Sequence, residues 1–350
     1  MNKEQCINIW RNVLAKENIK SDKNFFENGG DSIKVLELAK IIQEKYEIEL
    51  DIMDFFNDAT IGNVLHQVNK TNEIKMNSNL SQLRKGKDST KNLLFIHGGS
   101  GEIGAFLRMC NAIDDSYNIY AISFDKSRME LHPQIISVEE LADLYLTYLS
   151  DANITSINAI VGWCIGGKIA FEMADKLDDS TINLYLLNAV PPNQSRKNIK
   201  NSSFTIDEER AFLRRGLIPY KVDKNFIQTT PELWEDFTEY MKKHKVIYKY
   251  LKSASPKYLK NILKNNNDIE VFVKYLNLIR SFEEAHYTYQ KSPEKKIRRI
   301  YYVNAIKKSV DNFQYWENYT QEYIEFNIES DHDGIVSEEV ANVLFKELTT

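Results

Sequence analysis

A cysteine set among glycines offers the clearest chemistry in this chain: residues 162–167 read GWCIGG, with Cys164 at the centre. The apolar run INAIV precedes it and KIAFEMADKL follows. A strand running into Gly-x-Cys-x-Gly and then a helix puts the side chain on a sharp turn above the sheet edge, the geometry of a nucleophile elbow. The flanking glycines remove Cβ atoms that such a turn would not accommodate. The N–H of Ile165 then stands unpaired at a helix start, where an oxyanion and a thiolate are both favoured. A second donor is expected from HGGSG (97–101), in which the Gly99 N–H is placed to meet a developing oxyanion. His332, in ESDHDGIV, lies after the last strand and before the last helix. Chain order makes it the general base. The third member is less plain. The position after INLYLL that would hold an acid is Asn188, which can still accept a hydrogen bond and orient an imidazole, as in Cys–His–Asn sets. The alternative acid is Asp311, after IYYVNA.

The elements that must position these residues follow from periodicity. From LLFIHGGSG onward, short apolar runs (YNIYAISF, INAIV, INLYLL) alternate with helical patterns such as SVEELADLYLTYL, which predicts a mostly parallel α/β sheet. Residues 196–299 interrupt the alternation with helical, Lys- and Tyr-rich sequence, and a lid over about 196–290 is expected above the sheet edge. Its aromatics, among them Trp234, Phe237, Tyr240, Tyr248, Tyr250, Phe272 and Tyr275, are expected to shape a chamber. The alternation resumes with RRIYYVNA and EYIEFNIES and closes on the helix SEEVANVLFKEL. Residues 1–75 read instead as short helices, and 76–90 lose all periodicity and read as a linker.

Composition excludes several classes. The chain has 350 residues, 43% hydrophobic and 27% charged, with a net charge of −5, so nothing draws it globally to nucleic acid. Cys6, Cys110 and Cys164 have no CxxC spacing, so neither a disulfide framework nor a thiolate metal site is expected. No apolar run is long enough for a membrane span and the N-terminus is not a signal peptide, so a cytoplasmic location is expected. Charge is unevenly spread: 196–299 hold 23 basic and 13 acidic residues, whereas 1–75 hold 10 and 13. The basic insert is expected to attract the acidic N-terminal part.

That N-terminal part carries FFENGGDSIKVLEL (25–38). Ser32 reads as a helix N-cap behind a flexible Gly-Gly pair, with a hydroxyl to which a phosphate at the helix N-terminus could be attached. The GGDS stretch, with Phe25 and Phe26 before it and DATIGNVL after it, strongly resembles the phosphopantetheine attachment motif of carrier domains. The chain as a whole resembles a peptidyl carrier protein fused to a thioesterase, the terminal part of a nonribosomal peptide synthetase. The resemblance implies a small four-helix carrier domain over 1–75, with 4′-phosphopantetheine covalently on Ser32, and an α/β-hydrolase domain over 91–350. It places Cys164, His332, Gly99 and Ile165 on the family's nucleophile, base and oxyanion positions. The chain departs from the family at two of its positions, with cysteine in place of serine at the elbow and asparagine in place of aspartate at 188. The implied partners are upstream synthetase modules, a phosphopantetheinyl transferase and a peptidyl or aminoacyl thioester, with no nucleic acid and no membrane.

The expected activity is chain release. The acyl group moves from the arm on Ser32 to Cys164, then to water or to an internal hydroxyl or amine, which closes a lactone or lactam. A cysteine acceptor keeps the acyl group activated as a thioester. Two other readings remain: an acyltransferase shuttling the group between carriers, and a catalytically silent carrier or binding module.

Overall fold

The structure is a computed structural model that describes residues 1–46, 50, 55, 58–69, 79–88, 90–110, 112–179, 181–193, 204–217, 232–245, 269–292, 296–306 and 316–348. The chain divides into two compact units, Met1–Lys75 and Met76–Thr350.

In the first unit, three helices are formed by described residues: α1 (Lys3–Leu14), α2 (Ser32–Tyr46) and α3 (Ile61–Asn69). The four-helix count expected here depends on residues outside the described ones. Asn2 and Gln5 close a reciprocal capping box that starts α1, and the Thr60 hydroxyl accepts the Asn63 N–H to start α3. The core is aromatic. Phe25 packs edge-on against Trp10 at 5.0 Å and Phe55 at 5.5 Å, and all three are fully buried. Gly29 adopts φ 96°, and a Cβ on Gly30 would collide with the Phe25 ring. The Gly-Gly pair therefore lets the chain turn tightly over this core into α2. The expected N-cap is corrected by one residue. Asp31 caps α2, its carboxylate accepting the Lys34 N–H at 2.9 Å, and Ser32 is the first helical residue. An ionised carboxylate at a helix start accepts more strongly than a hydroxyl and suits the dipole.

In the second unit, described residues form a seven-stranded sheet: β1 (Leu80–Arg84), β2 (Asn92–Ile96), β3 (Asn118–Ile122), β4 (Ala159–Trp163), β5 (Asn183–Leu187), β6 (Ile297–Ala305) and β7 (Thr320–Ile328). Their order is β1-β3-β2-β4-β5-β6-β7, with β1 antiparallel and every other pairing parallel. The expected linker over 76–90 is corrected here, because it contributes β1. Leu80 and Leu83 are buried, and the strand lies antiparallel against β3. Its identity comes from that distant partner, since LSQLR itself is too short and polar to announce a strand.

Helices α4 (Val138–Asp151), α5 (Ile165–Leu177), α6 (Ile206–Leu217), α7 (Leu233–Lys243), α8 (Ile269–Thr288) and α9 (Glu338–Leu344) cover the sheet. Alternate residues of β2 face opposite cores. Leu94 and Ile96 join α4, α5 and the lid helices, while Leu93 and Phe95 join α9. Burial on both faces explains why the central strands read as unbroken apolar runs. The fold is an α/β hydrolase, with α6, α7 and α8 in the lid region. The lid aromatics expected to line a chamber mostly pack instead. Trp234, Phe237, Phe272 and Tyr275 are buried core, and Tyr248 and Tyr250 lie outside the described residues. No helix among the described residues is long and apolar enough to cross a membrane.

Candidate active site

The central strand β4 ends directly below Cys164, which turns the chain into α5 with φ 57° and ψ −120°. This is backbone that a non-glycine residue rarely adopts, at a cost of about 1–3 kcal/mol. The crowding around the turn explains its glycines. A Cβ on Gly162 would strike the Gly166 carbonyl, and one on Gly166 would strike the carbonyl of His97. The strand, the helix and the HGGSG loop thus approach more closely than any other side chain allows, and the thiol is left half-exposed.

His332 arrives from the loop after β7. Its ring lies 5.4 Å from that of Trp163, whose indole N–H donates to the His332 carbonyl at 3.2 Å. The imidazole hydrogen-bonds Cys164. Its Nδ1 lies 2.6 Å from Nδ2 of Asn188, the residue that follows β5. Asn188 sits at φ 45°, a region asparagine tolerates, and its N–H donates to the Val303 carbonyl at 2.7 Å. The structure therefore brings Cys164, His332 and Asn188 together, while Asp311 lies outside the described residues. With Oδ1 turned inward, the asparagine amide can accept Nδ1–H from either form of the ring.

Burial pulls the His332 pKa down, but the hydrogen bond and negative charge of Cys164, then Asp333 and Asp331, outweigh it and leave the imidazole above its ordinary value. A group that binds its proton more tightly when folded stabilises the chain below its ordinary pKa, and that contribution fades as pH rises through the folded value. Removing Cys164 removes the two largest raising causes. In Cys164→Ala the His332 titration, followed by NMR, is expected to move to lower pH, because burial then dominates.

The HGGSG loop is held by His97, which is fully buried. Burial drives its pKa down to about 4, against the hydrogen bond to Gly98 and the charge of Glu102. The neutral ring donates from Nδ1 to the Gly98 carbonyl at 2.7 Å, so Nε2 accepts from the Tyr145 hydroxyl. This pins the loop that presents Gly99. Beside Gly99 there is open space where a Cβ would stand. Gly99, Ile165, Cys164 and His332 all line one chamber of about 240 Å³, roofed by Phe282 and His286 of α8. His286, whose sequence context suggests no role, is a chamber residue because α8 crosses the elbow. Trp163 is equally unannounced, although it directly precedes the cysteine.

The carrier residues present fit a phosphopantetheine group. Ser32 opens a helix of 15 residues, directly after the exposed Gly29 and Asp31. Among the described residues no cluster of His, Cys, Asp or Glu could hold a metal ion.

A family model for the phosphopantetheine attachment site matches residues 5–68, and one for the thioesterase domain matches residues 91–337. The chain belongs to the thioesterase domain family. The thioesterase domain follows a carrier domain whose cofactor is phosphopantetheine. Atromentin synthetase greA of Suillus grevillei is 25% identical over 173 residues, covering 47% of this chain and 18% of that protein. A dimodular nonribosomal peptide synthase of Bacillus subtilis is 23% identical over 186 residues, covering 53% of this chain and 8% of that protein. The chain thus spans less than a fifth of the length of either relative. A solved four-domain nonribosomal peptide synthetase, bound to AMP and glycine, shares the fold with a TM-score of 0.58 at 18% identity, over 97% of this chain and 25% of that one.

Proposed function

We propose that the chain is the terminal part of a nonribosomal peptide synthetase and releases its acyl chain through Cys164. The observation that carries this reading is the hydrogen-bonded row Cys164–His332–Asn188 on an elbow that opens into a lidded chamber, in the same chain as a carrier domain. Ser32 would hold phosphopantetheine, which supplies the acyl group as a thioester.

Cys164 Sγ attacks the acyl carbonyl as the thiolate, with the imidazolium of His332 beside it. The carbonyl oxygen gathers negative charge and is met by the N–H groups of Gly99 and Ile165. As the C–S bond to the carrier thiol breaks, His332 gives its proton to the leaving sulfur and becomes neutral. It then takes a proton from water, or from a hydroxyl or amine of the acyl chain itself, and the second attack frees Cys164. The ring keeps its Nδ1 proton through both states, and Asn188 holds it in register by accepting that N–H at Oδ1.

The cysteine also favours a second reading. Thioester-to-thioester exchange is nearly balanced, so the same site suits an acyltransferase that passes the group to another carrier. Product mass separates the outcomes: an added water marks hydrolysis, its absence marks cyclisation, and acyl mass on an added carrier marks transfer. Ser32→Ala is expected to accept no phosphopantetheine and to release no product in cis, read by intact-protein mass. Modification of that variant would place the arm elsewhere.

A further inference from the structure

Lid helix α8 does more than roof the chamber: one of its faces lies along the HGGSG loop. The contacts recur at helical spacing. The Tyr275 hydroxyl donates to the Glu102 carboxylate. One turn later, the Leu278 side chain lies 3.6 Å from where a Cβ on Gly101 would stand. Another turn on, the Phe282 ring lies 5.3 Å from that of His97 and 5.2 Å from that of Phe124. Tyr275 is buried. Burial first, then the charge of Glu102, pushes its pKa up, so the hydroxyl stays a donor. Glu102 also pairs with the exposed Lys126 at 3.0 Å. No step of the release reaction uses Tyr275 or Glu102.

What this face touches is the turn that presents Gly99. The Gly101 N–H donates to the Gly98 carbonyl at 3.0 Å, and His97 Nδ1 donates to the same oxygen. The carbonyl and the N–H of one trans peptide point in opposite directions, so fixing the Gly98 carbonyl also aims the Gly99 N–H. Residues 101 and 102 set the far end of the turn. The Gly101 carbonyl accepts from the Phe124 N–H at 2.8 Å, and the Glu102 N–H donates to Ser100 Oγ at 3.3 Å. Tyr275 holds the Glu102 side chain from the lid.

We propose that Tyr275 is a positioning residue for the oxyanion hole: acting through Glu102, its hydroxyl locks the turn 98–101 to lid helix α8, so that a seated lid aims the Gly99 N–H. The proposal rests on the reading of Cys164 as nucleophile and Gly99 as oxyanion donor. It adds that the lid reports on the oxyanion hole as well as enclosing the acyl group.

The experiment compares two reactions of Cys164 in the full chain, each located by peptide mass. With 4-nitrophenyl butyrate, Sγ bonds to the carbonyl carbon, the carbonyl oxygen becomes an oxyanion, and 4-nitrophenolate leaves. With iodoacetamide, Sγ bonds to the methylene carbon, iodide leaves, and no oxyanion forms. In Tyr275→Phe, acylation is expected to slow about tenfold while alkylation stays within about twofold of wild type. Glu102→Ala is expected to match it, and the double variant to be no slower than either, because the two residues act as one pair. Glu102→Gln, whose amide oxygen still accepts the hydroxyl, is expected to keep most of the rate, and Lys126→Ala all of it. Should Tyr275→Phe lose its fold by circular dichroism, Glu102→Ala against Glu102→Gln carries the comparison. Acylation of Tyr275→Phe at the wild-type rate overturns the proposal and leaves the release reading standing. Additive losses in the double variant, or an equal loss of alkylation, also overturn it. A wild-type Cys164 acylated no faster than the buried Cys6 and Cys110 overturns the release reading, and the proposal with it.

Discussion

Cys164→Ala is expected to hold an acyl group on the carrier arm for as long as the thioester survives in buffer, with turnover reduced at least about 10⁴-fold. The size follows from the site's economy of parts. Ser100 and Tyr287 also line the chamber, but Cys164 is the nucleophile hydrogen-bonded to His332, and the oxyanion donors alone give only residual catalysis over water. Cys164→Ser is expected to fall between, about 10²-fold below wild type. A serine hydroxyl stays protonated near neutral pH, so His332 must remove its proton during attack. Asn188 cannot balance the resulting imidazolium with a full negative charge, as a carboxylate would. Single-turnover decay of acyl mass measures both variants. Equal rates for Ser and Cys would show that thiolate character contributes nothing.

His332→Ala is expected to lower turnover by about 10³-fold, and Asn188→Ala by about tenfold. The unequal losses express a division of labour. The ring donates and receives the proton, whereas the amide only orients it from 2.6 Å. A thiolate–imidazolium pair formed before attack needs less help from a third residue than a serine does. Asn188→Asp is expected to retain activity, since a carboxylate can accept both from Nδ1–H and from the Ala305 N–H that now meets the Asn188 Oδ1 at 3.5 Å. An Asn188→Ala variant as impaired as His332→Ala would mean that the amide does more than orient.

The elbow was legible in the sequence because its cause is local. Gly162 and Gly166 must be glycine where strand, turn and helix collide within five residues, and that pattern is printed in GWCIGG. The alternating sheet was legible for the same reason, since burial on both faces leaves continuous apolar runs. What could not be read depends on distant partners. The sequence leaves Asn188 and Asp311 both open; the loop after β7 brings His332 to Asn188 at the end of β5, while Asp311 lies outside the described residues. β1 looks like a linker until β3 lies beside it. Nothing in KIAFEMADKL marks Lys168 as buried; α8 covers it and supplies the His286 carbonyl as its acceptor. His286 enters the chamber by the same crossing, while the lid aromatics turn inward to hold α7 and α8 together.

The central claim is that the acyl group passes through Cys164. The measurement that tests it is intact-protein mass spectrometry of the full chain after a peptidyl-phosphopantetheine has been loaded onto Ser32, following acyl mass with time in wild type and in Cys164→Ala. The expected result is loss of the acyl mass from wild type, its retention in Cys164→Ala, and a trapped acyl group on the peptide containing Cys164 at early times. Loss of the acyl mass at the same rate from both proteins, with Cys164 never modified, would contradict the account.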